Sequence, residues 1–185
     1  MIETNRYALS QRLLHWLIAL LALPALGVGL TLGTLGFDGA KAAFGGEVTG
    51  ALYAAHKTVG VLILALMILR LGLRLTLGSP RYASPLTGFE RVASRTVHGL
   101  LYLVLLALPV VGWLATAAGG YPVQFFAWTL PGLIAKDKAL SETLFQFHGI
   151  LGWVLLALLA LHIGAALWHW LLKRDGVMAR MSLFP

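Results

Sequence analysis

Six histidines are the residues of this chain best suited to chemistry: His15, His56, His98, His148, His162 and His169. All of them fall within or at the ends of long apolar stretches. An ionisable ring is costly there without a partner, so such residues mark functional sites. His148 and His162 are 14 residues apart. At about 100° and 1.5 Å per helical residue, they return to nearly one face and stand roughly 21 Å apart along it. One helix thus offers two imidazoles pointing the same way at two depths. That geometry suits two haems stacked across a bilayer and suits a single metal ion badly.

The elements that must position these rings are legible from composition. Of the 185 residues, 59% are hydrophobic and 11% are charged, whereas soluble domains carry about a quarter charged residues. The apolar residues run from Leu13 to about Leu35, Leu52 to Leu75, Val97 to Ala118 and Phe145 to Leu172. Each run reaches the roughly 20 residues that cross a bilayer. In lipid the backbone must satisfy its own hydrogen bonds, which makes the runs helices rather than strands. The expectation is an all-α integral membrane protein: a single domain over 1–185 and a bundle of four transmembrane helices binding two haems. The helices are expected over about 8–35, 51–76, 95–118 and 143–173, with Pro24 and Pro109 kinking two of them. The first run reads as a retained span, because it exceeds a signal core and no small-x-small cleavage site follows it.

The charges set the orientation. Four spans put both termini on one side, together with Arg6, Arg12, Arg70, Arg74, Arg81, Arg91, Arg95, Lys173, Arg174 and Arg180. The other side has Lys41, Lys57, Lys136 and Lys138. Basic residues collect inside, so the termini and the 76–96 loop are expected on the cytoplasmic side. Loops at about 36–50 and 119–143 then face outward, which is the periplasm if the source is a bacterium. The net charge of +7 does not signal nucleic acid, because the charges lie in short connections and form no basic helix face. Cysteine is absent, which excludes disulfides, cysteine-ligated clusters and covalent c-type haem.

Matching depths then pair the histidines. His56 and His148 each lie a few residues inside their helices from the outer side and could ligate an outer haem. His15 and His162 lie at comparable depth from the inner side and could ligate an inner one. Two imidazoles per iron leave no open position for substrate and suit electron transfer. Arg70 follows His56 by 14 residues and reaches the inner level, where it either binds a haem propionate or snorkels. His98 and His169 lie near the cytoplasmic ends of the third and fourth helices. Either could replace His15 as a ligand, serve a quinone or a propionate, or face the headgroups. Gly60, Gly149 and Gly152 sit near the ligands and could make room for a porphyrin or simply for a neighbouring helix.

Taken together, these residues resemble the prokaryotic cytochrome b561 family. The likeness runs through Arg12-Leu-Leu-His15-Trp16, His56-Lys-Thr-Val-Gly60, Leu69-Arg70-Leu-Gly-Leu-Arg74 and His98-Gly-Leu-Leu-Tyr102. It continues through Ala107-Leu-Pro109-Val-Val-Gly112 and His148, His162 and His169 to Lys173-Arg-Asp175 and Met178-Ala-Arg-Met181. The resemblance implies two b-type haems held by histidines of the first, second and fourth helices. It also implies an oxidoreductase passing electrons from a periplasmic donor, superoxide or a protein, to ubiquinone. The alternative it carries is a haem b anchor subunit that couples a periplasmic dehydrogenase or hydrogenase to the quinone pool. Membrane lipid, quinone and the donor are the expected partners.

Overall fold

The computed structural model describes residues 6–82 and 84–184. Its frame is four helices in chain order, α1 (Leu9–Phe44), α2 (Gly46–Leu77), α3 (Gly88–Ala118) and α4 (Lys138–Leu167). Each is long and apolar enough to cross a membrane. A short antiparallel hairpin, β1 (Val123–Phe125) and β2 (Trp128–Leu130), joins α3 to α4, with Val123 opposite Leu130 and Phe125 opposite Trp128. After Leu167 the last helix continues as a π-helical segment, Trp168–Lys173, and a single 3-10 turn, Met178–Arg180, follows.

The connections differ from the sequence expectation in one place. Residues 36–50 form no open loop. Gly36 (φ 66°, ψ 179°) breaks the helical path, the chain stays helical to Phe44, Gly45 (φ 80°) breaks it again, and α2 starts at once. Both breaks use backbone angles that glycine adopts without a side-chain clash. The segment between them packs on α2, where Phe37 lies 6.0 Å from the Tyr53 ring and Ala40 is fully buried. Composition hides this helix, because it is too short to span and too polar to read as one.

Helices α3 and α4 also begin earlier than the apolar runs do, since polar turns outside the membrane can stay helical. At the head of α3, Thr87 accepts from the Glu90 N–H while the Glu90 carboxylate accepts from the Thr87 N–H, a reciprocal cap. Asp137 caps α4 by accepting from the Leu140 N–H. Thr87→Ala should cost about 1 kcal/mol, read as a lowered thermal midpoint in detergent. An unchanged midpoint would mean that packing alone starts α3.

Two apolar clusters hold the bundle. In one, Leu14, Ile18 and Ala22 of α1 meet Ile63 and Met67 of α2. In the other, Leu26 of α1 meets Leu101 and Val104 of α3 and Leu155 and Leu158 of α4. Helix α1 packs along α2 and α3 along α4, and the α2–α3 and α1–α4 contacts close the four-helix arrangement. Leu20, Leu75 and Leu161 remain more than half exposed. In water such a surface would aggregate, whereas in lipid it is the solvated face.

The chain ends are latched together at the end of the bundle shared by the termini. The Tyr7 N–H donates to the Arg180 carbonyl at 3.1 Å, the Arg12 guanidinium to the Ser182 carbonyl at 2.6 Å, and the Trp16 indole to the Met181 carbonyl at 2.8 Å. The Arg180 guanidinium lies 3.7 Å from the Tyr82 ring centre and 5.2 Å from that of Tyr7. Arginines gathered at this end of the bundle therefore also tie the tail to α1.

Candidate functional site

The fold brings four of the six histidines into two pairs. His56 of α2 faces His148 of α4 with ring centres 6.1 Å apart and planes at 86°. His15 of α1 faces His162 of α4 with ring centres 6.1 Å apart and planes at 83°. The partners matched by depth in the sequence are therefore neighbours in space. An imidazole nitrogen sits about 2.0 Å from a metal it ligates and about 1.1 Å from its own ring centre, so two rings on opposite faces of one iron have centres about 6.2 Å apart. Both pairs have that separation.

The His56/His148 pair is clamped by the two helices that supply neither of its rings. The Nδ1–H of His56 donates to the Ala25 carbonyl of α1 at 3.1 Å, and the Nδ1–H of His148 donates to the Leu108 carbonyl of α3 at 3.1 Å. This fixes each tautomer and leaves Nε2 free for a metal, the usual arrangement of a ligating histidine. Four residues after each accepting carbonyl stands a glycine. A methyl built on Gly29 would lie 2.6 Å from Cε1 of His56, and one on Gly112 would lie 2.8 Å from Cε1 of His148. The rings occupy the space that a side chain would fill. The sequence reading picked out Gly60, Gly149 and Gly152 instead. A methyl at Gly60 or Gly149 meets nothing within 4 Å, and one at Gly152 meets only Leu30. The overlooked signal was the shared setting of Gly29 and Gly112, each four residues beyond a carbonyl beside a helix proline, Pro24 or Pro109.

The inner pair has a third ring beside it. His98 of α3 lies 5.1 Å from His162 between ring centres, and its Nδ1–H donates to the Ser94 carbonyl at 2.6 Å. Arg70 of α2 donates to the Gln11 carbonyl at 3.0 Å, and its charge is within reach of His15, His98 and His162. All four helices thus contribute a polar group at the inner level. The Trp16 ring meets His15 edge to face at 5.3 Å.

His169 stands apart from both pairs, in the π-helical segment. Its Nδ1–H donates to Asp175 at 2.6 Å, and Lys173 links Asp175 to Glu90 at the head of α3. Burial pushes the Asp175 carboxyl up. The bonds from His169, the Val177 N–H and Lys173 outweigh this and hold it below the usual carboxylate range.

A bare metal ion needs about four protein ligands, and among the described residues no group of three or more candidate ligands converges on one point. A haem brings four nitrogens of its own and asks the protein for two axial ligands. The half-buried imidazole pairs fit that demand. The chain matches the family model described as prokaryotic cytochrome b561 over residues 6–182. Cytochrome b562 of Cereibacter sphaeroides is 30% identical to it over 182 residues, 98% of each chain. Cytochrome b561 homolog 2 of Escherichia coli is 27% identical over 181 residues, 96% of this chain and 91% of that relative. A probable superoxide oxidase, CybB, of Yersinia pestis is 26% identical over 126 residues, 68% of this chain and 72% of its own. With four membrane-spanning helices and paired, half-buried histidines, this chain belongs to the prokaryotic cytochrome b561 family, bacterial membrane proteins that move electrons across the bilayer on b-type haem.

Proposed function

We propose that the chain holds two b-type haems, the outer by His56 and His148 and the inner by His15 and His162, and moves electrons from a periplasmic donor to ubiquinone. The observation that carries this is the recurrence of one ring geometry, 6.1 Å and nearly perpendicular, at both levels. Haem iron, when bound, supplies a one-electron relay with no open coordination site. The protein's part is to hold the imidazoles and, at the His56/His148 pair, to fix their tautomers. At the inner level Arg70 supplies the cation that a propionate needs. His98 approaches His162 too closely to share its iron with it, since 5.1 Å is about 1 Å short of the separation such a pair requires. It serves that site as a hydrogen-bonding neighbour.

Superoxide is the donor we favour, because the similar Yersinia pestis protein is a probable superoxide oxidase. It is a small anion, and Lys57, next to His56 and donating to the Pro122 carbonyl at 2.9 Å, gives the outer mouth a positive charge. The ten-to-four distribution of Lys and Arg supports a reading with both termini on the cytoplasmic side of the inner membrane.

Reduced-minus-oxidised spectra with a haem-to-protein ratio test the assignment. The purified protein should hold two b haems per chain. His56→Ala and His15→Ala should each lose one, and the remaining spectra should differ. A single haem in the wild type, or the same residual spectrum in both variants, overturns the pairing.

A further inference from the structure

We infer that the hairpin β1–β2 is a membrane anchor, its aromatic tip seated in the lipid headgroup layer at the end of the bundle opposite the termini. The segment that carries it, Gly119 to Ala135, contains no Asp, Glu, Lys or Arg. Its large side chains nevertheless face outward. Phe126 is 68% exposed and Trp128 70%, as open as the lipid-facing Leu20 at 71%, and Tyr121 is exposed beside them. In water a surface of this composition would aggregate. A protein-binding patch surrounds its apolar centre with a polar rim, and a charge-free segment supplies little of one. Trp and Tyr are the residues that collect where hydrocarbon meets headgroups.

The attachments of the hairpin set its depth. The Phe126 N–H donates to the Thr58 hydroxyl of α2 at 3.3 Å, and the Trp113 indole of α3 donates to the Pro131 carbonyl at 3.1 Å. Both residues lie inside apolar spans, Thr58 beyond Leu52 and Trp113 before Ala118. The stretch from Trp113 to the end of α3 is roughly 8 Å of helix. Helical side chains lean toward their own N-terminus, so the Trp113 indole leans inward from that level. The hairpin therefore folds back along the bundle and does not rise above it. Cations flank it. Lys57 donates to the Pro122 carbonyl at 2.9 Å, and Lys136 and Lys138 close the segment. Lipid phosphates complement that charge.

The turn points the same way. Phe126 has φ 53°, a left-handed conformation that suits glycine or asparagine and strains a bulky residue. The chain accepts this strain and gains an aromatic ring at the turn. That ring lies 4.9 Å from Phe125, which lies 6.4 Å from Trp128, so three rings form one apolar tip. The same attachments reach the outer histidines. Thr58 closely follows His56, and Trp113 follows Gly112, beside which the His148 ring packs. A seated tip thereby ties the helices flanking both rings to the headgroup level.

Cysteine is absent, so one introduced cysteine takes a nitroxide label at a single place. The haem-loaded protein is reconstituted in vesicles of phosphatidylethanolamine and phosphatidylglycerol. Collision of the label with dissolved oxygen and with a water-soluble nickel chelate then gives its depth. Ala127→Cys labels the turn between the two exposed aromatics and leaves both in place. Leu20→Cys marks the lipid face, and Lys138→Cys, at a side chain 89% exposed, marks water. The Ala127 label should lie about 5–10 Å inside the phosphate plane, shielded from the chelate. Adding Phe126→Ser and Trp128→Ser should bring it to the accessibility of the Lys138 label, with the haem spectrum unchanged. If labelling at Ala127 costs the protein its haem, Leu133→Cys in the same charge-free segment answers the same question. A label there as open to the chelate as that at Lys138 would overturn the anchor and leave a protein partner as the occupant of the tip. A label that stays shielded after both aromatics are removed would overturn their part in it.

Discussion

Gly29→Ala and Gly112→Ala are each expected to strip the outer haem while leaving the inner one in place. The added methyl would lie 2.6 Å from Cε1 of His56 or 2.8 Å from Cε1 of His148, closer than side-chain carbons tolerate. Neither ring can retreat without giving up its 3.1 Å bond to Ala25 or Leu108. Overpacking of this kind costs about 1–3 kcal/mol, and the lost hydrogen bond about 0.5–1.5 more. Against that stands the gain of about 1 kcal/mol from replacing a helical glycine by alanine. The balance is a displaced ligand. The same substitution at Gly33 or Gly99 meets nothing within 4 Å, so it should leave both haems in place and stabilise the protein slightly. Haem-to-protein ratios across the four variants give the comparison. Full outer haem in Gly29→Ala and Gly112→Ala would show that the rings sit elsewhere once haem is bound.

The second large effect lies at the inner level, where three rings compete for two axial positions. His162→Ala should lose the inner haem completely, halving the haem content and abolishing electron delivery to quinone. His98→Ala should keep both haems. Its loss should appear as a shifted inner-haem potential and roughly a tenfold slower turnover, the range seen when a partner of a bound ligand is removed. The basis is separation: 6.1 Å between His15 and His162 admits an iron, and 5.1 Å between His98 and His162 does not. If His98→Ala loses the inner haem and His15→Ala retains it, the two residues exchange roles.

These predictions differ in how much the sequence alone could have supported them. That there are four spanning helices is legible from composition, because lipid leaves the backbone no other way to satisfy its hydrogen bonds. The pairing of His56 with His148 and of His15 with His162 is legible as depth, because rise per residue and bilayer thickness are constants. The 14-residue spacing on α4 is legible as a shared face, because the helical period is a constant too. None of these inferences needs to know how one helix is rotated against another.

Rotation and close packing decided the rest. Gly29 and Gly112 matter because a ring from a different helix fills the space beside each; their shared distance from a helix proline is the one local mark that separates them from Gly33 or Gly99, and it does not by itself say which ring arrives. His98 reads alone equally as an inner-level ligand, a quinone or propionate partner, or a headgroup-facing histidine, and only the packing of α3 on α4 sets it beside His162. The helical stretch after Gly36 depends on one backbone torsion and on the surface of α2 that receives it. The depth of the hairpin depends on the Thr58 hydroxyl and the Trp113 indole, side chains of two helices that hold it against the bundle. The sequence by itself determined what the membrane and the helical period enforce: spans, depths and facing histidines. Tertiary structure decided every contact set by a neighbouring helix, because such contacts depend on the packing of side chains distant in the chain.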